Sequence, residues 1–173
     1  MSGWRELYQS KLQSAAQAME AIKPGARVFI GTGCGQPQML VDELVSEDSH
    51  IVDVEVYHLL THGLAPYIDE KYARKFRTSS FFIAPNVREG IASGRGDYVP
   101  IFLSEIPRLF ESGRVPLDVC LIQTSPPDKN GYLSLGVSVD IVKSAVENSV
   151  TVIAEVNEHM PRTLGDSSIP LEM

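Results

Sequence analysis

The chain has 173 residues, enough for one domain with its own core, and 43% of them are hydrophobic, the usual share for a globular protein. With 22 acidic against 15 basic residues the formal charge is −7, and no Lys/Arg cluster is dense enough to mark a nucleic-acid footprint, so DNA and RNA are not expected partners. The opening "MSGWRELYQSKLQ" lacks the apolar core of a signal peptide and no run of about 18 apolar residues offers a membrane helix. Two cysteines are too few for a disulfide framework. The expectation is a cytoplasmic protein with no membrane partner.

In chain order, residues 4–22 read as one helix, with Leu7, Leu12, Ala15, Ala16, Met19 and Ile22 on its apolar face, stopped by "KPG" at residues 23–25. "RVFIG" is a short buried strand, and Pro37 stands where a helix through "QMLVDELV" can begin. "VDVEVYHLL" and "KFRTSSFFI" follow as strands, "PNVREGIASG" as a helix ending on glycine, and "SEIPRLFESG" as another, with Ser104 as its expected N-cap. "LDVCLIQTS" is an apolar strand, "SVDIVKSAVENS" a helix and "VTVIAEVN" a strand. The tail after Asn157 has few apolar residues, and no closing helix or strand is expected there. Apolar strands alternating with helices predict an α/β fold, an open, mostly parallel sheet flanked by helices on both faces.

Ligands of such sheets sit beyond the carboxyl ends of the strands, which selects "GTGCGQPQ", "TSPPDKNGY" and "NEHMPRT" as candidate site loops. The first is neither a dinucleotide fingerprint, since Gln36 stands at the third glycine position, nor a P-loop, since no Lys follows. Two readings stay open: backbone N–H groups approaching a ligand ahead of a helix N-terminus that favours anions, or a strand-to-helix corner needing permissive dihedrals. Cys34 is placed as a thiol nucleophile could be, but its base would have to be His50, His58, His62 or His159, none near it in sequence. Cys120, inside an apolar strand, reads as a small buried hydrophobe.

"HLLTH" sets His58 and His62 four residues apart, a metal-binding spacing on a helix; the competing reading is a strand end and a loop with at least one His exposed. No metal is expected. In "SPPDKNG" two prolines stiffen the loop, Asp128 can accept turn N–H bonds and Gly131 can take positive φ. Arg162 could pair with a carboxylate or phosphate, or with nothing. Asp42 and Glu43 read as a solvated helix face.

Together, "GTGCGQPQML", "DVCLIQTSPPDKNGYLSLGVSVD" and "VIAEVNEHMPRTLGDSSI" resemble the N-terminal half of the acetyl-CoA hydrolase/CoA-transferase family, especially its 4-hydroxybutyrate CoA-transferase branch. The likeness runs from Trp4 to Ile169, and the long middle motif is its most specific part. It implies two similar α/β domains with the active site between them, and CoA moving from an acyl-CoA to a free carboxylate such as 4-hydroxybutyrate, butyrate or acetate. A glutamate attacks the thioester and gives a glutamyl-CoA thioester through a mixed anhydride. CoA is a substrate and no cofactor is implied. The family's catalytic glutamate lies in the C-terminal half, so the resemblance makes residues 1–173 an N-terminal domain or fragment, with no catalytic residue of its own and the C-terminal catalytic domain as its missing partner.

By the same resemblance, Gly33, Cys34, Gly35, Gln36 and Pro37 face the acyl group, and Ser125, Pro126, Asp128, Gly131, Asn157 and Arg162 lie nearby, shaping and orienting substrate. An apolar docking face beside these loops is expected, with a tendency to form homo-oligomers. Alternatives are a noncatalytic subunit completing a partner chain's site, an acyl-CoA hydrolase, a sugar-phosphate isomerase on a related sheet, and a thiol enzyme using Cys34.

Overall fold

The structure, a computed structural model, describes residues 3–47 and 49–172. Its elements are α1 (Gly3–Lys11), α2 (Ala15–Met19), β1 (Arg27–Ile30), α3 (Gln38–Leu44), β2 (Val54–His58), β3 (Phe76–Ser80), α4 (Pro85–Ala92), β4 (Gly96–Tyr98), α5 (Ile106–Glu111), β5 (Leu117–Thr124), β6 (Tyr132–Ser134), α6 (Val142–Glu147), β7 (Ser149–Val156) and β8 (Ser168–Pro170).

Six strands form one sheet in the order β4-β3-β2-β1-β5-β7, and each pairing in it is parallel. Alternation of side chains across the pleat divides the core in two. Val28 and Ile30 of β1 pack on one face with Met19, Ile22, Leu40, Val41 and Leu44. Phe29, pointing the other way, packs with Ile106, Phe110, Ile141, Val142 and Ala145. A parallel sheet buried on both faces needs such continuous apolar strands, and each Val, Leu or Ile taken out of water contributes about 1.5–3 kcal/mol. The expected fold, an open parallel sheet with helices on both faces, is the fold found.

Local chemistry departs from the expectation in four places. The helix read over residues 4–22 is broken after Lys11. Ser14 and Gln17 form a capping box, the Gln17 N–H donating to Ser14 Oγ (3.3 Å) and the Ser14 N–H to Gln17 Oε1 (3.0 Å), which starts α2 as a separate helix. Ser104 does not cap α5: it sits inside a 3-10 turn, Leu103–Glu105, and Pro107 occupies the first turn of the helix. The tail does contain a strand, because β8 pairs antiparallel with β6, Leu133 opposite Ile169. The short β4 at the sheet's edge is a further strand that the apolar pattern did not announce.

Strands β1 to β4 step outward in one direction from β1, while β5 and β7 step in the other. The order therefore reverses between β1 and β5, which places a crevice at the carboxyl ends of these strands. The loops after β1, β5 and β7, the three selected from the sequence, are neighbours there.

Candidate substrate crevice

The loop after β1 is a tight corner before it is anything else. Gly31 N–H donates to Leu121 O (2.8 Å), Gly33 N–H to Leu60 O (2.6 Å), and Gly35 N–H to Thr32 O (3.0 Å) and Ser138 Oγ (3.1 Å). Gly33 has φ +57°, and a Cβ on Gly35 would lie 2.8 Å from that of Ser138, so a side chain at 35 would force the loops apart. The amides of these three glycines are thus turned onto the protein itself, which favours the corner over a cradle of glycine N–H groups. Gly35, Gln36 and Pro37 are buried, Gly33 is half-buried, and Cys34 stands exposed at the apex.

Gln36 does not point its amide outward. It accepts from Gly63 N (2.9 Å) and donates to Leu64 O (2.8 Å), pinning the loop after β2. The anion site expected at the start of α3 is filled from within: Glu155 Oε2 accepts from Met39 N (2.9 Å) and Leu40 N (3.4 Å), in place of a side-chain cap that Pro37 cannot supply. Gln123 Nε2 donates to the other oxygen of Glu155 (2.9 Å), and Asn157 Nδ2 donates to Gln123 Oε1 (3.1 Å). Glu155, Gln123 and Ser138 were not foreseen. The only signal for the first two was a polar side chain near the end of each of two otherwise apolar strands.

The other two loops meet at Arg162. Its Nη1 donates to Ser125 Oγ, Pro126 O and Tyr132 O, each at 3.0 Å, and Nη2 lies 3.4 Å from Asp128 Oδ2. Asp128 Oδ1 accepts from Asn130 N (2.8 Å) and Tyr132 N (3.0 Å). The Tyr132 amide first, then that of Asn130 and the Arg162 charge, hold the Asp128 carboxyl below its ordinary range. Gly131, at φ +85°, turns beneath Trp4, whose Cβ would be 2.8 Å from an added Cβ. Ser125 and Gly131 are buried; Pro126, Asp128 and Asn157 are half-buried. The cation considered for a ligand is engaged in clamping the loop that borders the crevice.

The histidine pair is not a helical pair. His58 ends β2, fully buried, with Nε2 2.9 Å from Ser80 Oγ and Nδ1 3.0 Å from Tyr67 Oη. Ser80 Oγ donates to Phe82 O (2.6 Å), so it accepts from Nε2–H and Nδ1 accepts from Tyr67. Burial pushes the His58 pKa down to about 4, and His62 is exposed on the following loop. This agrees with the strand-end reading, and it removes His58 as a base for Cys34. Cys120 is buried and its thiol pKa is pushed up by burial. Exposed apolar side chains stand at the start of α3 and on loops near it: Met39, Leu64, Val137 and Leu164, the last fully exposed.

A parallel sheet whose strand order reverses between β1 and β5, with internally tied loops at that point, is a doubly wound α/β domain. The chain belongs to the acetyl-CoA hydrolase/transferase family, whose N-terminal domain model matches residues 2–173. It is 44% identical over 166 residues to the 4-hydroxybutyrate coenzyme A transferase of Clostridium kluyveri, covering 96% of this chain and 39% of that protein. It is 43% identical over 150 residues to the succinyl-CoA:acetate/propanoyl-CoA:succinate CoA transferase of Fasciola hepatica, covering 86% of this chain and 31% of that protein. Among solved structures, the 4-hydroxybutyrate CoA-transferase of Porphyromonas gingivalis superposes with a TM-score of 0.82 at 30% identity, over 98% of this chain and 39% of that one. The chain spans well under half the length of these relatives.

Proposed function

We propose that this domain forms the N-terminal wall of a CoA-transferase site that moves CoA from an acyl-CoA to a short-chain carboxylate, 4-hydroxybutyrate, butyrate or acetate. The observation that carries the reading is the coincidence of two independent facts. The loops at residues 31–37, 125–131 and 157–162 meet where the strand order reverses, and the chain matches named CoA-transferases over nearly all of its length. In this reading a carboxylate outside this chain attacks the thioester carbonyl and expels CoA thiolate, leaving a mixed anhydride. The thiolate then attacks the enzyme-side carbonyl, releases the first acid and leaves an enzyme thioester, and the acceptor acid reverses both steps.

Residues of this chain supply shape rather than attack. The glycine corner and Pro37 fix the start of α3, Arg162 and Asp128 stiffen the loop after β5, and Cys34 borders the acyl end. Met39, Leu64, Val137 and Leu164 offer apolar surface to the catalytic domain. The test is a chimera in which residues 3–172 replace the matching segment of the Clostridium kluyveri transferase. Given acetyl-CoA and 4-hydroxybutyrate, the chimera should form 4-hydroxybutyryl-CoA, read by mass spectrometry. A folded chimera that transfers CoA to none of the three acids, or that only releases CoA thiol to water, contradicts the reading.

A further inference from the structure

We infer that Glu155 is a positioning residue whose carboxylate sets the hydrogen-bond polarity of a relay that joins the loops after β1 and β7 and the start of α3 through the end of β5. The inference rests on the transferase reading for its purpose, and on the geometry alone for its content. At one end of the relay the His159 N–H donates to Asn157 Oδ1 (2.9 Å). The Asn157 amide nitrogen must then face the other way, where it donates to Gln123 Oε1 (3.1 Å). With its oxygen so engaged, Gln123 turns its nitrogen toward Glu155 Oε1 (2.9 Å) and the Gln36 carbonyl (3.3 Å). At the far end the N–H groups of Met39 and Leu40 point at Glu155 Oε2.

Donors therefore converge on residue 155 from both sides. A carboxylate can accept from both; an amide of the same shape has one oxygen and must turn N–H groups against N–H groups on the other side. The backbone forbids the simple escape. Flipping Gln123 would set its oxygen against the Gln36 carbonyl, and flipping Asn157 would set its nitrogen against the His159 N–H. The sign of the whole chain is fixed by backbone groups at its ends, and only an acceptor-only side chain closes it. Asn157, the member nearest the crevice mouth, is held with its amide in one orientation, and the start of α3 is held against β7 by the same carboxylate.

The experiment is residue-resolved amide exchange on this chain for four proteins: wild type, Glu155→Gln, Gln123→Glu, and the pair combined. All four side-chain sets are nearly isosteric, so a packing role predicts little change in either single variant and nothing special in the pair. The polarity role predicts exchange at Met39, Leu40 or His159 faster by at least about tenfold in each single variant, because donors or acceptors are left facing their own kind. In the pair, the amide introduced at position 155 accepts from α3 and donates to the carboxylate introduced at position 123, which in turn accepts from Asn157. Protection should rise well above that of Glu155→Gln, short of the wild-type level because an oxygen at position 123 then faces the Gln36 carbonyl. Single variants that exchange like wild type, or a pair as unprotected as Glu155→Gln, overturn the inference. Should Glu155→Gln fail to fold, the pair still decides, since a folded, protected pair supports the relay and an unfolded one contradicts it. No turnover is read, so a failure of the transferase reading would leave this result standing.

Discussion

Two polar chains tie loops at the same end of the sheet, and they are built in opposite ways. Under β2 and β3, Tyr67, His58, Ser80 and the Phe82 carbonyl form a neutral chain within the core. Over β1, β5 and β7, Glu155, Gln123 and Asn157, together with Arg162 and Asp128, form half-exposed ties that carry charge. A buried chain must be satisfied at every atom, since an orphaned donor or acceptor there costs about 1–3 kcal/mol, so it holds the fold. Ties at the surface are screened and individually weak, and what they set is the arrangement of loops around the crevice. The loops around the candidate site are ordered by interactions that add little to global stability.

The largest effect should come from the buried chain. His58→Ala takes away the acceptor of the Tyr67 hydroxyl and the donor to Ser80 Oγ and leaves a cavity, a loss of about 3 kcal/mol or more readable by urea unfolding. Its pH dependence has a definite sign. The folded protein keeps His58 neutral down to about pH 4, whereas the unfolded chain takes up the proton near 6.5. The contribution of His58 is complete above about pH 6.5 and falls by at most about 1.4 kcal/mol per pH unit on the way down to 4. That slope should be missing from His58→Gln; if it persists there, His58 is not its source.

Gly35→Ala comes next. Its Cβ would meet Ser138 Cβ at 2.8 Å, and overpacking of this kind costs about 1–3 kcal/mol. Ser138→Gly in the same chain should recover part of it, which a purely conformational preference at residue 35 would not allow. Arg162→Ala should shift the melting temperature by no more than about 3 °C, yet speed amide exchange across residues 125–132 while leaving β5 protected. If instead the whole domain lost stability, the contrast between the two chains would fail. The smallest change is chemical: iodoacetamide should modify Cys34 in the folded protein and Cys120 only after unfolding, read by peptide mass mapping.

Much of this was visible in the sequence. Apolar runs at residues 27–31, 117–124 and 150–156 announced parallel strands because burial on both faces leaves few polar positions, and the loops after them do meet at one edge of the sheet. The break before α2 was also written there, as Ser14 followed three residues later by Gln17, but the apolar spacing masked it. The spacing of His58 and His62 suggested a helix face where the backbone is extended. Strands β4, β6 and β8 are three residues each, too short for a period to register, and the β6–β8 pair joins segments some 35 residues apart. The roles of Glu155 and Arg162 depend on which strands and loops end side by side, which no local pattern encodes.

The claim that residues 31–37 border the acyl group is tested most directly by Cys34 itself. In the chimera with the Clostridium kluyveri transferase, the rate of Cys34 modification would be measured with and without saturating butyryl-CoA, by mass mapping of the Cys34 peptide. Acyl-CoA should slow it at least about tenfold, as expected for a side chain covered by bound ligand. An unchanged rate in a chimera that turns over would place the acyl group elsewhere and contradict the account.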